Sequence, residues 1–333
     1  MSKNLRSVIS AVEKYYPEQI VSNKDLEKLV DTSDEWIQTR TGITERRRVA
    51  KGEASSDLAA KAIEKLLKKK KISAEEIDMI IVGTVTPDTL FPSTACRIQE
   101  KIGAKNAWGF DISAACSGFI FSLATGDQFI QTGKYKKVLV VGVDVMSSIL
   151  DYTDRNTCVL FGDGCGVVLL EPESMESELG ILDHICHIDG SGGDLLYMPG
   201  GGSLHPASMD TVEKKMHYAR QEGKQVFKFA VSEMAKVCEE ILEKNDLKAS
   251  DIDIFVPHQA NLRIIESCQK RLGLTDEQVV VNIEKFANTT AATIPTCLAQ
   301  AVEDDRLTKG KLVLLASFGA GFTWGATLLR WSY

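Results

Sequence analysis

Short runs of β-branched and aliphatic residues alternate with longer stretches whose apolar positions recur at helical spacing. This order occurs twice along the chain. In the first half, residues 55–71 carry apolar positions at helical spacing behind a serine cap, which predicts a helix. The run Asp78-Met-Ile-Ile-Val-Gly-Thr84 is short, apolar and rich in β-branched residues, the pattern of a buried parallel strand. Residues 93–102 predict a helix and Trp108 to Ile112 a strand. Ser-Ala-Ala-Cys-Ser-Gly then leads at once into a helix ending near Thr132, and residues 137–143 form a third strand. The second half predicts helix 226–244, strand 252–256, helix 260–271, strand 279–282, helix 290–302 and strand 311–316. Strands alternating with helices imply parallel sheets covered on both faces.

The two halves are related in sequence. Residues 73–82 (SAEEIDMIIV) match residues 248–257 (KASDIDIFVP) with an offset of 175, taking Asp78 onto Asp253. Residues 137–143 and 311–317 match with an offset of 174. A repeat this long is a duplicated domain; solenoid repeats run to ~20–50 residues. Two halves, 1–176 and 177–333, are therefore expected to form one intertwined α/β unit. Two mostly parallel sheets around shared central helices give an αβαβα arrangement of five layers.

The duplication also brings candidate chemistry together. Cys116 stands between a predicted strand and helix, and the same offset carries it to position 290, beside Asn288. His258 follows the strand 252–256, at the carboxyl end where ligands bind in open α/β sheets. A helix start favours the thiolate of a cysteine placed there. A histidine and an asparagine can each donate a hydrogen bond to one oxyanion. A buried structural cysteine is the competing reading for Cys116. A papain-like protease also uses Cys, His and Asn in this order, but duplicated α/β halves do not suit that fold and its signature around the cysteine is absent.

The net charge of −7 argues against nucleic acid as the main partner. No apolar run approaches the ~18–20 residues of a membrane span. The first residues, MSKNLRSVISAVEKYYPEQ, lack the apolar core of a signal peptide. Eight scattered cysteines without a C-x-x-C pair fit reduced thiols in a cytoplasm. His184-Ile-Cys186-His187 resembles metal ligands, yet strand alternation puts its side chains on opposite faces, and no metal is expected. Phe161-Gly-Asp-Gly-Cys-Gly166 leads into a strand, so it reads as a tight turn beside the active centre and not as a dinucleotide cradle. Residues 190–223 interrupt the pattern with glycines and Pro206; a long insertion of this kind is usually functional or mobile.

The motifs taken in order resemble β-ketoacyl-acyl carrier protein synthase III, of the thiolase-like fold, over almost the whole chain. They are Trp36-Ile-Gln-Thr-Arg-Thr-Gly-Ile43, Ser113-Ala-Ala-Cys-Ser-Gly-Phe119, Asp154-Arg-Asn-Thr157, Phe161-Gly-Asp-Gly164, Pro257-His-Gln-Ala-Asn-Leu-Arg263, Asn288-Thr-Thr-Ala-Ala292 and Phe318-Gly-Ala-Gly-Phe-Thr-Trp-Gly325. The chain departs from the family at Ala287 and Ala320, where glycine is frequent, and in the longer insertion at 198–223. The absence of a second cysteine in the C-terminal glycine-rich motif separates it from thiolases. Asn288 in place of a second histidine separates it from elongating ketosynthases.

The resemblance implies a decarboxylative Claisen condensation of a short acyl-CoA with malonyl-acyl carrier protein, without metal or redox cofactor; acyl-CoA is a substrate. Cys116 would be the nucleophile, His258 and Asn288 the donors to the malonyl enolate, and the backbone N–H groups of Cys116 and Gly319 an oxyanion hole. Trp36 and Arg155 would sandwich the adenine of CoA, with Arg40 on its phosphates. Phe161, Met146 and Phe91 would wall the acyl pocket, Phe91 reaching across a homodimer interface. The segment Gln259, Ala260, Asn261, Leu262 and Arg263, with Lys228, Lys270 and Arg271, would dock the acidic carrier protein. A non-catalytic acyl-CoA or carrier-protein binder would have lost one of the three catalytic residues, and none is lost. A related enzyme of secondary metabolism remains open.

Overall fold

The structure, a computed structural model, describes residues 5–333. The first sheet contains β1 (Leu5–Tyr15), β2 (Met79–Gly83), β3 (Trp108–Ile112), β4 (Val138–Val145) and β5 (Asp163–Ser174), in spatial order β1-β5-β4-β2-β3. The second contains β6 (Gly180–Ile188), β7 (Ile254–Pro257), β8 (Leu312–Gly319) and β9 (Thr323–Arg330), in order β7-β8-β9-β6. The expected parallel pairing occurs where helices cross over: β2 with β3 and β4, and β7 with β8. Each half then turns back, so β4–β5, β1–β5, β8–β9 and β9–β6 pair antiparallel. The sheets are thus mixed.

Among the described residues seven longer helices cover these sheets: α1 (Asp34–Thr41), α2 (Ser55–Lys70), α3 (Thr94–Ile102), α4 (Gly118–Gln131), α5 (Gly223–Lys244), α6 (Leu262–Leu272) and α7 (Thr293–Glu303). α2 and α3 pack Leu58, Ile63, Leu66 and Ile98 on the outer face of the first sheet. α5 and α6 pack Met234, Ile241, Ile264 and Ile265 on the outer face of the second. Between the sheets, α4 contributes Phe119, Ile120 and Leu123, and α7 contributes Ile294, Cys297 and Leu298. These residues meet Ile81, Val140 and Val168 of one sheet and Val256, Val313 and Leu315 of the other. The expected five-layered, thiolase-like order is present.

The duplication is visible in single hydrogen bonds. Asp78 N donates to Lys137 O at 2.9 Å, and Asp253 N to Leu312 O at 3.0 Å. The carboxylates take the N–H groups of Lys137 and Leu312 at 2.9 and 2.8 Å. Each pair joins the start of one central strand to the start of its neighbour.

Two local expectations are corrected. The strand expected at 279–282 is a single bridge, Phe255 with Val279. Beyond it, Gln259 Oε1 accepts the N–H groups of Asn282 and Ile283, which turns the chain into a short helix. The expected serine cap of α2 is also absent. The N-cap is Ala54, whose N–H is taken by Asp57. Ser55 and Ser56 are buried and donate to Thr86 O and Asp88, both at 2.6 Å, so they anchor the loop after β2.

Candidate active site

Cys116 lies in a 3-10 turn, Ala115–Ser117, that opens α4. The matching turn Thr290–Ala292 opens α7, 175 residues on. Ala115 and Thr290 have φ of 46° and 52°, so both copies use the same left-handed kink at a non-glycine residue. The kink points the chain end of each central helix into one space between the halves. That space is a cavity of about 760 Å³ lined by Cys116, His258, Asn288 and Gly319.

Each candidate group is held by backbone. His258 continues β7, and its N–H donates to Ala316 O of β8 at 2.8 Å. Asn288 is pinned on both sides: its N–H donates to Leu160 O, and Gly162 N–H donates to its carbonyl, each at 3.0 Å. The glycine-rich turn at 161–164 is therefore a clamp on Asn288. Position 162 needs glycine, since a Cβ would lie 2.7 Å from Phe286 O. Gly319 admits the same argument: a Cβ there would lie 2.7 Å from Cys116 N. This close approach sets the Gly319 backbone against the Cys116 N–H. β9 secures the turn further, with Ser117 Oγ donating to Thr323 O and Thr323 Oγ1 donating to Ala114 O.

Asp144, fully buried at the end of β4, was not singled out from the sequence. It accepts from Thr84, Val85 and Thr86 on one side and from the Thr290 hydroxyl on the other. It thus ties the loop after β2 to the turn after Asn288. Only its place at a strand end marked it.

Electrostatics correct one expectation. Burial pushes the Cys116 thiol up to about 12, and the nearby Asp144 carboxylate adds to this. A hydrogen bond from Asn288 acts the other way. The helix start does not make a resting thiolate; the thiol is neutral at neutral pH. Burial likewise lowers His258 to about 3, so the imidazole is neutral throughout the physiological range. The depressed value also couples to stability. The unfolded chain takes up a proton on this histidine near 6.5 and the folded chain does not, so this contribution is lost as pH falls from about 6.5 toward 3.

The outer cavity is lined by Trp36, Arg40, Arg155, Phe161, Ala260, Asn261 and Arg263. α1 and α6 are joined here, with Asn261 capping Arg263 N and donating to Arg40 O at 2.9 Å. The Arg40 and Arg155 guanidinium carbons lie 5.6 and 5.4 Å from the Trp36 ring centroid. Arg155 therefore sits over the indole with no gap for a flat ring between them in this conformation. The insertion adds Leu196, Gln221 and Glu222 to the mouth and the start of α5 adds Lys224, none of which sequence reasoning named.

Several expected residues fall elsewhere. Phe91, expected to reach across a dimer interface, is 85 % exposed and does not line the cavity of its own chain. Met146 packs with Leu150 and Phe161 behind the wall. Gln259 is fully buried and holds Pro257 O, Val280 O and two backbone N–H groups, so it is unavailable for docking. Leu262 packs on Gly42. Arg271 is bound by Glu239 at 2.7 Å, whereas Lys228, Arg263 and Lys270 are exposed. His184 and His187 bond to Thr327 and Glu240, on separate partners. All eight cysteines are free.

Ala287 carries a cost. Its φ of 57° and ψ of −160° lie where essentially only glycine is relaxed, a strain of about 1–3 kcal/mol. Ala287→Gly is expected to stabilise the protein by about 1 kcal/mol after the added freedom of the unfolded chain is subtracted. Chemical denaturation checks this; a lower midpoint would contradict the strain.

This architecture places the chain among the thiolase-like condensing enzymes. Comparison with known proteins narrows the class. Family models described as 3-oxoacyl-[acyl-carrier-protein] synthase III match residues 110–190, and for its C-terminal part residues 242–331. Proteins named β-ketoacyl-[acyl-carrier-protein] synthase III from Koribacter versatilis and Chlorobaculum tepidum are each 55% identical, covering 100% and 98% of this chain and 100% of both relatives. The crystal structure of 3-oxoacyl-[acyl-carrier-protein] synthase III from Aquifex aeolicus superposes with a TM-score of 0.89 at 43% identity, covering 98% of this chain and 100% of that one. The chain belongs to the β-ketoacyl-[acyl-carrier-protein] synthase III family, and its chemistry is that of an acyltransferase-type condensing enzyme.

Proposed function

We propose that the enzyme joins a short acyl-CoA primer to malonyl-acyl carrier protein and so begins fatty-acid synthesis. The observation that carries this is the convergence of Cys116, His258 and Asn288 at the floor of one cavity whose mouth is lined by Trp36, Arg40 and Arg155. The Cys116 sulfur attacks the thioester carbonyl, the bond to the CoA sulfur breaks, and the thiol proton leaves on CoA. The backbone N–H groups of Cys116 and Gly319 hold the oxyanion. Malonyl-acyl carrier protein then loses carbon dioxide, and the electrons of that bond form an enolate held by hydrogen bonds from His258 and Asn288. The enolate carbon attacks the acyl-Cys116 carbonyl, and the released sulfur takes a proton from solvent. The product is 3-oxoacyl-acyl carrier protein. The departing carbon dioxide supplies the carbanion, so the reading needs no metal or redox cofactor.

Arg40 and Arg155 suit phosphate and a flat ring. Arg263 and Lys270 share one exposed face of α6 beside the mouth and suit an acidic carrier protein. Among the described residues no helix is long and apolar enough to cross a membrane, which suits work in the cytoplasm. A homodimer is supported by the exposed Leu90 and Phe91, and by the half-exposed Trp108 on the open β3 edge.

Purified enzyme given acetyl-CoA and malonyl-acyl carrier protein is expected to release carbon dioxide and form acetoacetyl-acyl carrier protein; formation of free acetate instead would replace condensation by hydrolysis. Arg263→Glu is expected to raise the Michaelis constant for malonyl-acyl carrier protein by up to about tenfold at low salt and less at high salt. Acylation by acyl-CoA stays nearly intact. Equal losses in both half-reactions would move Arg263 from docking to the CoA site.

A further inference from the structure

In the proposed mechanism His258 and Asn288 both present N–H groups to the enolate. Thr290 N donates to Asn288 Oδ1 at 2.8 Å, so the carbonyl end of the amide is occupied and the Nδ2 end faces Cys116. A neutral imidazole has one proton and two nitrogens. His258 Nε2 is buried and without a partner among the described residues. Nδ1 lies 2.7 Å from the Thr293 hydroxyl. That hydroxyl also lies 3.1 Å from Thr290 O, and it has a single proton to give.

Two arrangements compete. In one, Nδ1–H donates to Thr293, which donates to Thr290 O, and Nε2 offers the site a lone pair. In the other, Thr293 donates to Nδ1, and the imidazole proton sits on Nε2. The distances separate them. A contact of 2.7 Å suits a hydroxyl donor, whereas N–H donors centre on about 2.9–3.0 Å. A contact of 3.1 Å is longer than the usual range of about 2.5–3.0 Å for a hydroxyl donating to oxygen. Thr290 O does not need it, because Thr293 N–H already donates there.

We infer that Thr293 is a positioning residue whose hydroxyl donates to His258 Nδ1 and thereby fixes the imidazole proton on Nε2, facing the substrate. The inference rests on the enolate role proposed for His258. It makes that role specific: Thr293 and Thr290 sit on the same turn, and each fixes one of the two donors. The turn at the start of α7 thus sets the polarity of the whole site. Asp144 supports it by binding the Thr290 hydroxyl, which leaves the Thr293 hydroxyl as the partner of the ring.

The test is nitrogen NMR on the full-length enzyme labelled with 15N-histidine, with His258 assigned by difference from His258→Asn. The resting enzyme is expected to show a protonated Nε2 and an unprotonated Nδ1 near neutral pH. A protonated Nδ1 overturns the proposal, whatever the variants do. Thr293→Val keeps the shape of the side chain and removes the hydroxyl. It is expected to slow condensation by about tenfold or more, with acylation of Cys116 by acyl-CoA unchanged and Thr293→Ser restoring the rate. Condensation at the wild-type rate in Thr293→Val also overturns it. Failure of the parent reading is separate: His258→Ala condensing normally would remove the enolate role regardless of which nitrogen bears the proton.

Discussion

His258→Ala and Asn288→Ala are each expected to accept the acyl group on Cys116 while losing about 10²–10³ in condensation, the usual cost of one oxyanion donor in a buried site. The two half-reactions separate because the groups have different duties. In the proposed mechanism the thioester oxyanion of the first half is held by backbone at Cys116 and Gly319, which neither substitution touches. The enolate proposed for the second half faces a neutral imidazole and a carboxamide, both nearly excluded from solvent, at 1 and 6 % exposure. Dry donors act strongly because no water competes with them. Asn288→Ala also removes the hydrogen bond to the Cys116 sulfur, so its acylation rate should fall slightly. Acyl-enzyme mass measured beside carbon dioxide release resolves the two steps. Full condensation by Asn288→Ala would end its role as an enolate donor.

Cys116→Ser is expected to abolish acyl transfer, and mass mapping of the wild type should place a single acyl group on Cys116 and on none of the other seven cysteines. The serine hydroxyl is a far weaker nucleophile at neutral pH. The structure adds a pH dependence. With the thiol pushed up to about 12 by burial, a rise in pH deprotonates it progressively. Alkylation of Cys116 by a small neutral reagent should therefore climb about tenfold per pH unit through neutrality. A plateau starting near pH 7 would mean that the helix start and Asn288 outweigh burial. An acyl label on an exposed thiol such as Cys96 would displace Cys116 from its role.

The convergence of Cys116, His258 and Asn288 was legible because Cys116 and His258 directly follow buried strands, and the repeat sets Asn288 beside the turn equivalent to that of Cys116. Backbone geometry at such junctions is dictated locally, and Ala115 and Thr290 show how closely the two copies agree. What was not legible depends on long-range burial. The thiol of Cys116 was expected to ionise easily from its helix position alone, but desolvation and Asp144 act from outside that segment. Gln259 reads as a polar surface residue, yet it replaces the hydrogen bonds of the strand that fails to form at 279–282. Ser55 and Ser56 have the composition of a cap and spend their hydroxyls on the loop after β2. In each case a side chain answers to a backbone group distant in sequence, and local pattern contains no record of it.

The pairing of β1 with β5 has a consequence for how the protein is made. Leu5 lies opposite Ser174, and Tyr15 opposite Cys165, so during synthesis β1 waits for more than a hundred residues before its partner exists. The helix beginning near Cys116 waits longer, since its other face packs on β8 and β9, at the far end of the chain. Ser332 then donates to Ile9 O, which joins the last residues to the first. Contacts this distant along the chain slow folding, because loops must close before burial repays them. The nascent first half exposes the apolar face of its central helix for most of synthesis, and its growth is the interval in which aggregation competes with folding.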